Sequence, residues 1–164
     1  MRILGIDPGT VTLGYGVIED RGDEPALVIY GTLDCSERSP IGERLFFLYT
    51  ELDKLIRRYE PGVVAVEQPF VARNVKSALA IGKAQAVALL AAASHGLAAY
   101  EYSPAQVKQR VTSYGTSSKE QVQEMVRLQL GLEAAPQPLD AADALAVALC
   151  HSQEVRLANL LNSR

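Results

Sequence analysis

Residues 1–20 read MRILGIDPGTVTLGYGVIED. Two runs rich in Val, Ile, Leu and Tyr, residues 2–7 (RILGID) and 14–19 (GYGVIE), flank the turn-forming Asp-Pro-Gly-Thr at 7–10. That pattern predicts an antiparallel pair of strands. A third run, 26–33 (ALVIYGTL), follows the turn signal Arg-Gly-Asp-Glu-Pro and extends the sheet to three consecutive antiparallel strands. The residue that ends the first strand is Asp7, and a carboxylate there is costly unless it has a partner or a task.

Outward from this block the apolar period changes. In residues 41–59, Leu45, Leu48, Leu52, Leu55 and Ile56 recur at helical spacing, with Glu51, Arg57 and Arg58 on the other side. Val63-Val64-Ala65-Val66 is a continuous apolar run, the pattern of a strand covered on both faces, and it should be central. Residues 75–94 predict a helix apolar nearly all round, broken only by Lys76, Lys83 and Gln85, so it needs burial on two sides. Ala98 to Tyr102 reads as a fifth strand. A helix follows with Ser103 as cap and Pro104 in its first turn, another starts near Ser118, and the last starts near Asp140. The order predicts one domain over residues 1–164, an α/β fold with one mixed five-stranded sheet and helices on both faces, closing in a short C-terminal tail at 151–164.

Composition narrows the class. With 48% apolar and 21% charged residues, the chain is an ordinary globular domain and neither disordered nor fibrous. The N-terminus shows no secretory pattern, and the longest apolar stretch, Ala84 to Ala93, falls short of a membrane span, so no membrane association is expected. Cys35 and Cys150 read as reduced core thiols, and the expected compartment is the cytoplasm. Net charge is −3, yet residues 70–130 hold seven Lys and Arg against three Glu. This segregation leaves a nucleic-acid partner open.

Four carboxylates invite a common reading. Asp7 and Glu67 end apolar strands, while Asp140 and Asp143 lie three apart at the start of an apolar helix, on one helix face. If strands one and four are neighbours, all four meet at the carboxyl edge of the sheet, where open α/β sheets bind ligands. Each acid has a plainer duty open to it: Asp7 in a β-turn, Asp140 as a helix cap, Asp143 facing the helix dipole. Glu67, after VVAV, has no capping duty. Oxygen-only donors select hard ions, so the site should hold Mg²⁺, with Mn²⁺ as a substitute, over zinc. Two such ions roughly 3.5–4 Å apart lower the pKa of a bound water and stabilise the leaving oxygen in phosphodiester hydrolysis, which is nuclease chemistry.

GIDPGT at 5–10, AVEQPFVARN at 65–74, SPAQVKQ at 103–109, SSKEQVQEMV at 117–126 and DAADALAVALCH at 140–151 together resemble the RuvC family of Holliday-junction resolvases. The resemblance covers nearly the whole chain. It implies a homodimer with a ribonuclease H-like fold, Mg²⁺-dependent nicking of two opposed strands of a four-way DNA junction, and cooperation with the RuvA and RuvB branch-migration proteins. By position it assigns Asp7, Glu67, Asp140 and Asp143 as catalytic carboxylates. It assigns Phe70 as an aromatic that stacks on an unpaired base, and Lys108 and Lys119 as basic residues facing the scissile phosphate or its neighbour. Arg73, Lys76 and Lys83 join them as candidate DNA contacts. Pro69 stands where the family pattern has a bulky apolar residue. Helix 75–94 is the expected dimer interface.

Three other readings share parts of this pattern. Asp-Pro-Gly-Thr before a hairpin resembles the phosphate loop of actin-like kinases, which need a second domain and a later Gly-rich loop absent here. A non-catalytic junction-binding module would use the basic segment and the exposed aromatic, but four acids beside a phosphate backbone would weaken binding. Other ribonuclease H-like nucleases, including those that cut RNA–DNA hybrids, fit the carboxylates alone.

Overall fold

The computed structural model describes residues 1–70 and 74–163. Five strands, β1 (Arg2–Asp7), β2 (Thr12–Glu19), β3 (Ala26–Asp34), β4 (Val63–Glu67) and β5 (Ala98–Tyr102), form one sheet in the order β3-β2-β1-β4-β5. β1 pairs antiparallel with β2, and β2 with β3, as the turn signals predict. β1 pairs parallel with β4, and β4 with β5, so the chain must cross over between them. Helix α1 (Ile41–Tyr59) makes the first crossover and α2 (Val75–Ser94) the second; α3 (Pro104–Thr112), α4 (Lys119–Gln129) and α5 (Leu139–Asn162) follow.

Side-chain alternation sorts the strands between two cores. Leu4, Ile6, Val64 and Val66 point to one face, where α1 offers Leu48, Leu52 and Ile56, and α2 offers Ala84, Ala88, Ala91 and Ala92. Ile3, Val63 and Ala65 point to the other face, against Val107 of α3, Val122 and Val126 of α4, and the inner side of α5. Both faces are covered, which is why VVAV carries no polar residue. The mixed sheet with helices on both faces is the ribonuclease H-like arrangement expected from the sequence.

Two expectations need correction. Residues 151–162, expected as a tail, continue α5, and the helix starts at Leu139 with Pro138 at the cap position and no side-chain cap. Asp140 is therefore a first-turn residue, and the capping duty open to it in the sequence is not the one it performs. The other concerns the stretch Ala84 to Ala93, which falls short of a span: the whole of α2 is long and apolar enough to cross a membrane by length and composition. Its alanines pack on the sheet, and Val75, Leu79 and Leu90 stand exposed on another side.

Candidate acidic site

Alternation along the strands decides where the acids point. Asp7 continues the series Ile3, Gly5, and Glu67 continues Val63, Ala65, so both carboxylates face the side on which α5 lies. β1 and β4 are hydrogen-bonded neighbours, with Ile6 paired to Val66, and both acids leave the sheet at its carboxyl edge. Asp140 and Asp143 come from the first turns of α5, on one helix face. All four line one cavity of about 300 Å³, together with Pro104, Val107, Lys108, Lys119, Val122 and Ala146. Each acid keeps part of its surface open to this cavity.

Two glycines bring the helix down onto the sheet. A methyl group at Gly14 of β2 would overlap the Asp140 carbonyl oxygen, and one at Gly5 of β1 would overlap that of Ala144. Gly14 pairs with Asp7 in the β1–β2 register, so the closest contact between helix and sheet lies beside the acids. Sequence analysis missed this role. The signal was present, since glycine inside a strand marks a close backbone approach.

The electrostatics follow from crowding. Burial first, then the charges of Glu67, Asp143 and Asp140, push Asp7 from its ordinary 3.8 up to about 9. Glu67 rises to about 7, again chiefly by burial; its hydrogen bond with Asp7 lowers it, the Asp143 charge raises it, and the Lys119 and Lys108 charges pull it down. Burial also raises Asp143, while Lys119 opposes the rise. Clustered carboxylates with too little positive charge behave in this way. The Lys119 ammonium lies 3.8 Å from Asp143 Oδ2, so the acids have a basic neighbour from a separate motif. With Lys119 two-thirds exposed, that pair adds little stability.

The donor set suits a hard cation: four carboxylates, all oxygen, and neither histidine in the cavity lining. Among the described residues the side chains as they stand do not gather three such donors round one point.

The remaining candidates fall into two groups. Lys108 and Lys119 enter the cavity wall from α3 and α4. Their placement rests on two capping boxes: Ser103 with Gln106, and Ser118 with Gln121, fix where each helix begins. Phe70 is 64% exposed, three residues beyond Glu67 and outside the cavity lining, so its ring is free of the core. Lys76 and Lys83 are exposed on α2, on the other side of the sheet from the cavity wall. Arg73 lies outside the described residues.

Comparison with known proteins adds a family. The model described as "Crossover junction endodeoxyribonuclease RuvC" matches residues 3–151. A protein of that name from Dehalococcoides mccartyi is 59% identical over 160 residues, covering 98% of this chain and 97% of its own. One from Chloroflexus aggregans is 52% identical over 152 residues, covering 93% of each chain. The solved structure described as Thermus thermophilus RuvC in complex with Holliday junction substrate superposes with a TM-score of 0.91 at 38% identity, covering 96% of both chains.

Proposed function

The chain belongs to the family of RuvC crossover junction endodeoxyribonucleases, and from that premise we propose that its acidic cavity is the centre that cuts four-way DNA junctions. The protein is an endonuclease that resolves Holliday junctions, in the setting of recombination and repair. The observation that carries the site assignment is the meeting of Asp7, Glu67, Asp140 and Asp143 with Lys108 and Lys119 in one cavity.

Family membership implies use of a divalent metal. In our reading the ion is Mg²⁺, replaceable by Mn²⁺, held by the four carboxylates, two ions being engaged during catalysis. When bound, the metal supplies Lewis acidity and a water of lowered pKa. The chain's own groups do the rest. Asp7 and Glu67, fixed on strand tips, set one side of the reacting phosphate, and Asp140 and Asp143, fixed on α5, set the other. Water attacks phosphorus, one phosphorus–oxygen ester bond breaks, and a phosphate monoester and a hydroxyl result. Lys119 offsets charge building on the phosphoryl oxygens, and Lys108 holds a neighbouring phosphate. The exposed Phe70 ring stacks on a base left unpaired by the distorted junction.

Two opposed strands must be cut, so two centres are needed. The exposed Val75, Leu79 and Leu90 of α2 support a homodimer through that helix. Lys76, Lys83 and Arg73 then serve as phosphate contacts. RuvA and RuvB are the partners that this family membership suggests, and the cytoplasm, where a bacterial chromosome lies, is the compartment.

The test is a purified protein offered a synthetic four-way junction, a linear duplex and an RNA–DNA hybrid, with Mg²⁺ or with EDTA. Paired nicks in the junction alone, only with Mg²⁺, are expected. Cutting of the hybrid in preference would return the protein to the broader nuclease class, and junction binding with no cleavage under any metal would make it a binding module.

A further inference from the structure

The residues expected as a tail open with His151-Ser152-Gln153-Glu154, and each of the four is hydrogen-bonded to a different part of the fold. His151 Nδ1 lies 2.7 Å from the Tyr102 hydroxyl at the end of β5, in a buried hydrogen bond, and its ring rests against that of Tyr100 with centroids 4.7 Å apart. The Ser152 hydroxyl donates to Asp20 Oδ2, just past β2 (3.0 Å). The Gln153 amide donates to Gln129 Oε1 at the end of α4 (2.8 Å), and Glu154 accepts from Arg110 Nε of α3. Successive residues step round a helix by about 100°, so four in a row face about 300° of its circumference. This polar collar grips α5 on nearly every side.

The acid end of the same helix has no such grip. α5 starts without a side-chain cap, and the ion pair of Asp143 is with the exposed Lys119. Between the acids and the collar the buried surface is chiefly alanine: Ala141, Ala142, Ala144, Ala146 and Ala148. Apolar packing is non-directional, so it holds the helix down without fixing its rotation as a hydrogen bond does. Asp143 precedes His151 by eight residues, about 12 Å along the axis. A rotation of about 10° swings a group some 5–6 Å from that axis by about 1 Å, a misplacement that costs on the order of 100-fold in rate at a catalytic centre. The other end of the tie reaches the strand pair of acids. Tyr102 is paired with Glu67 in the β4–β5 register, and its carbonyl accepts from the Gln68 amide (2.8 Å). One hydrogen bond thus joins the strand position beside Glu67 to the helix that carries Asp140 and Asp143.

Resting on the junction-cutting reading of the acidic cavity, we propose that Tyr102 and His151 are positioning residues: their hydrogen bond fixes the rotation of α5 against the strand ends, and so sets Asp140 and Asp143 opposite Asp7 and Glu67. Neither side chain lines the cavity, and both act through the helix and strand that carry the acids.

Tyr102→Phe removes one hydroxyl from the buried pair, His151→Leu removes the other partner, and His151→Asn returns a polar group near the Nδ1 position. Ile56→Val, a core change under α1 on the opposite face of the sheet, supplies a comparable loss of stability away from the tie. For each, junction affinity, single-turnover cleavage at saturating junction and the midpoint of Mn²⁺ stabilisation in thermal melts without DNA are to be measured. Tyr102→Phe and His151→Leu should cleave roughly 10- to 100-fold more slowly, with junction affinity unchanged and the Mn²⁺ midpoint raised severalfold. His151→Asn should recover much of both, and Ile56→Val should keep the wild-type rate and midpoint at a similar loss of melting temperature. A Tyr102→Phe protein no worse in cleavage and Mn²⁺ midpoint than Ile56→Val, or equal defects in His151→Asn and His151→Leu, overturns the proposal. A wild type that cuts no junction under any metal, or an Asp143→Asn variant with wild-type cleavage, overturns the reading of the site instead, and the positioning role with it.

Discussion

Asp7→Asn separates the chemistry of the cavity from its contribution to the fold. Asp7 is held at about 9 against an ordinary 3.8, so at pH 7 the folded chain keeps a proton that the unfolded chain has released. A group raised in the folded state contributes stability that is fully present below pH 3.8 and is lost as pH climbs toward 9. At pH 7 without metal the loss is about 4 kcal/mol, at 1.36 kcal/mol for each decade of acidity. Interaction with the neighbouring Glu67 makes this an upper value. Asparagine keeps the size and stays neutral at every pH, so the metal-free variant should be the more stable protein. At 2–4 °C per kcal/mol for a chain of this size, the gain is on the order of ten degrees. Thermal melts in EDTA at pH 5, 7 and 9 should show wild type falling with pH and the variant nearly level. Added Mg²⁺ should raise the wild-type melting temperature far more than the variant's. Junction cleavage should be abolished in single-turnover assays, with binding retained or tightened, because affinity rests on Lys and Arg contacts to phosphate. A variant that melts at or below wild type across this range would show that burial of Asp7 costs nothing. Near-normal cleavage would remove Asp7 from the site.

Three further outcomes are expected. Phe70→Ala should lower single-turnover cleavage far more than junction affinity, since phosphate contacts supply most of the binding; equal losses would make the ring a structural element. Leu79→Glu and Leu90→Glu, each exposed on α2, should give monomers in sedimentation velocity that bind a junction poorly, and an unchanged dimer in both would remove α2 from the interface. Gly14→Ala should force α5 off the sheet, costing about 1–3 kcal/mol in denaturant melts and weakening Mg²⁺ stabilisation; wild-type values of both would mean that the helix yields freely there.

Much of this molecule was readable because its physical signals are local. Asp-Pro-Gly-Thr between two apolar runs gives a hairpin, VVAV gives a central strand, and Ser103 and Ser118 give helix starts, each from a few adjacent residues. The acids were legible for a related reason: at the ends of strands with no visible partner, Asp7 and Glu67 stood out against their own surroundings. The rest depended on distance in sequence. That Lys119 lies 3.8 Å from Asp143 follows only once α4 and α5 are packed together. The close seat of α5 on Gly5 and Gly14 is a contact across more than 100 residues, written in the chain only as small side chains on both partners. The extension of α5 through residues 151–162 was obscured by the polar run Ser152-Gln153-Glu154, although Leu157, Leu160 and Leu161 beyond it keep helical spacing.

The seat of α5 on those glycines also sets a timetable. Synthesis proceeds from the N-terminus, so β1 with Asp7 emerges first, and α5 with Asp140 and Asp143 emerges last. Until that helix leaves the ribosome and settles on the sheet, a growing chain carries only half of the acidic cavity. On the proposed assignment of the site, the chain is thus inactive until its last helix has folded onto the sheet.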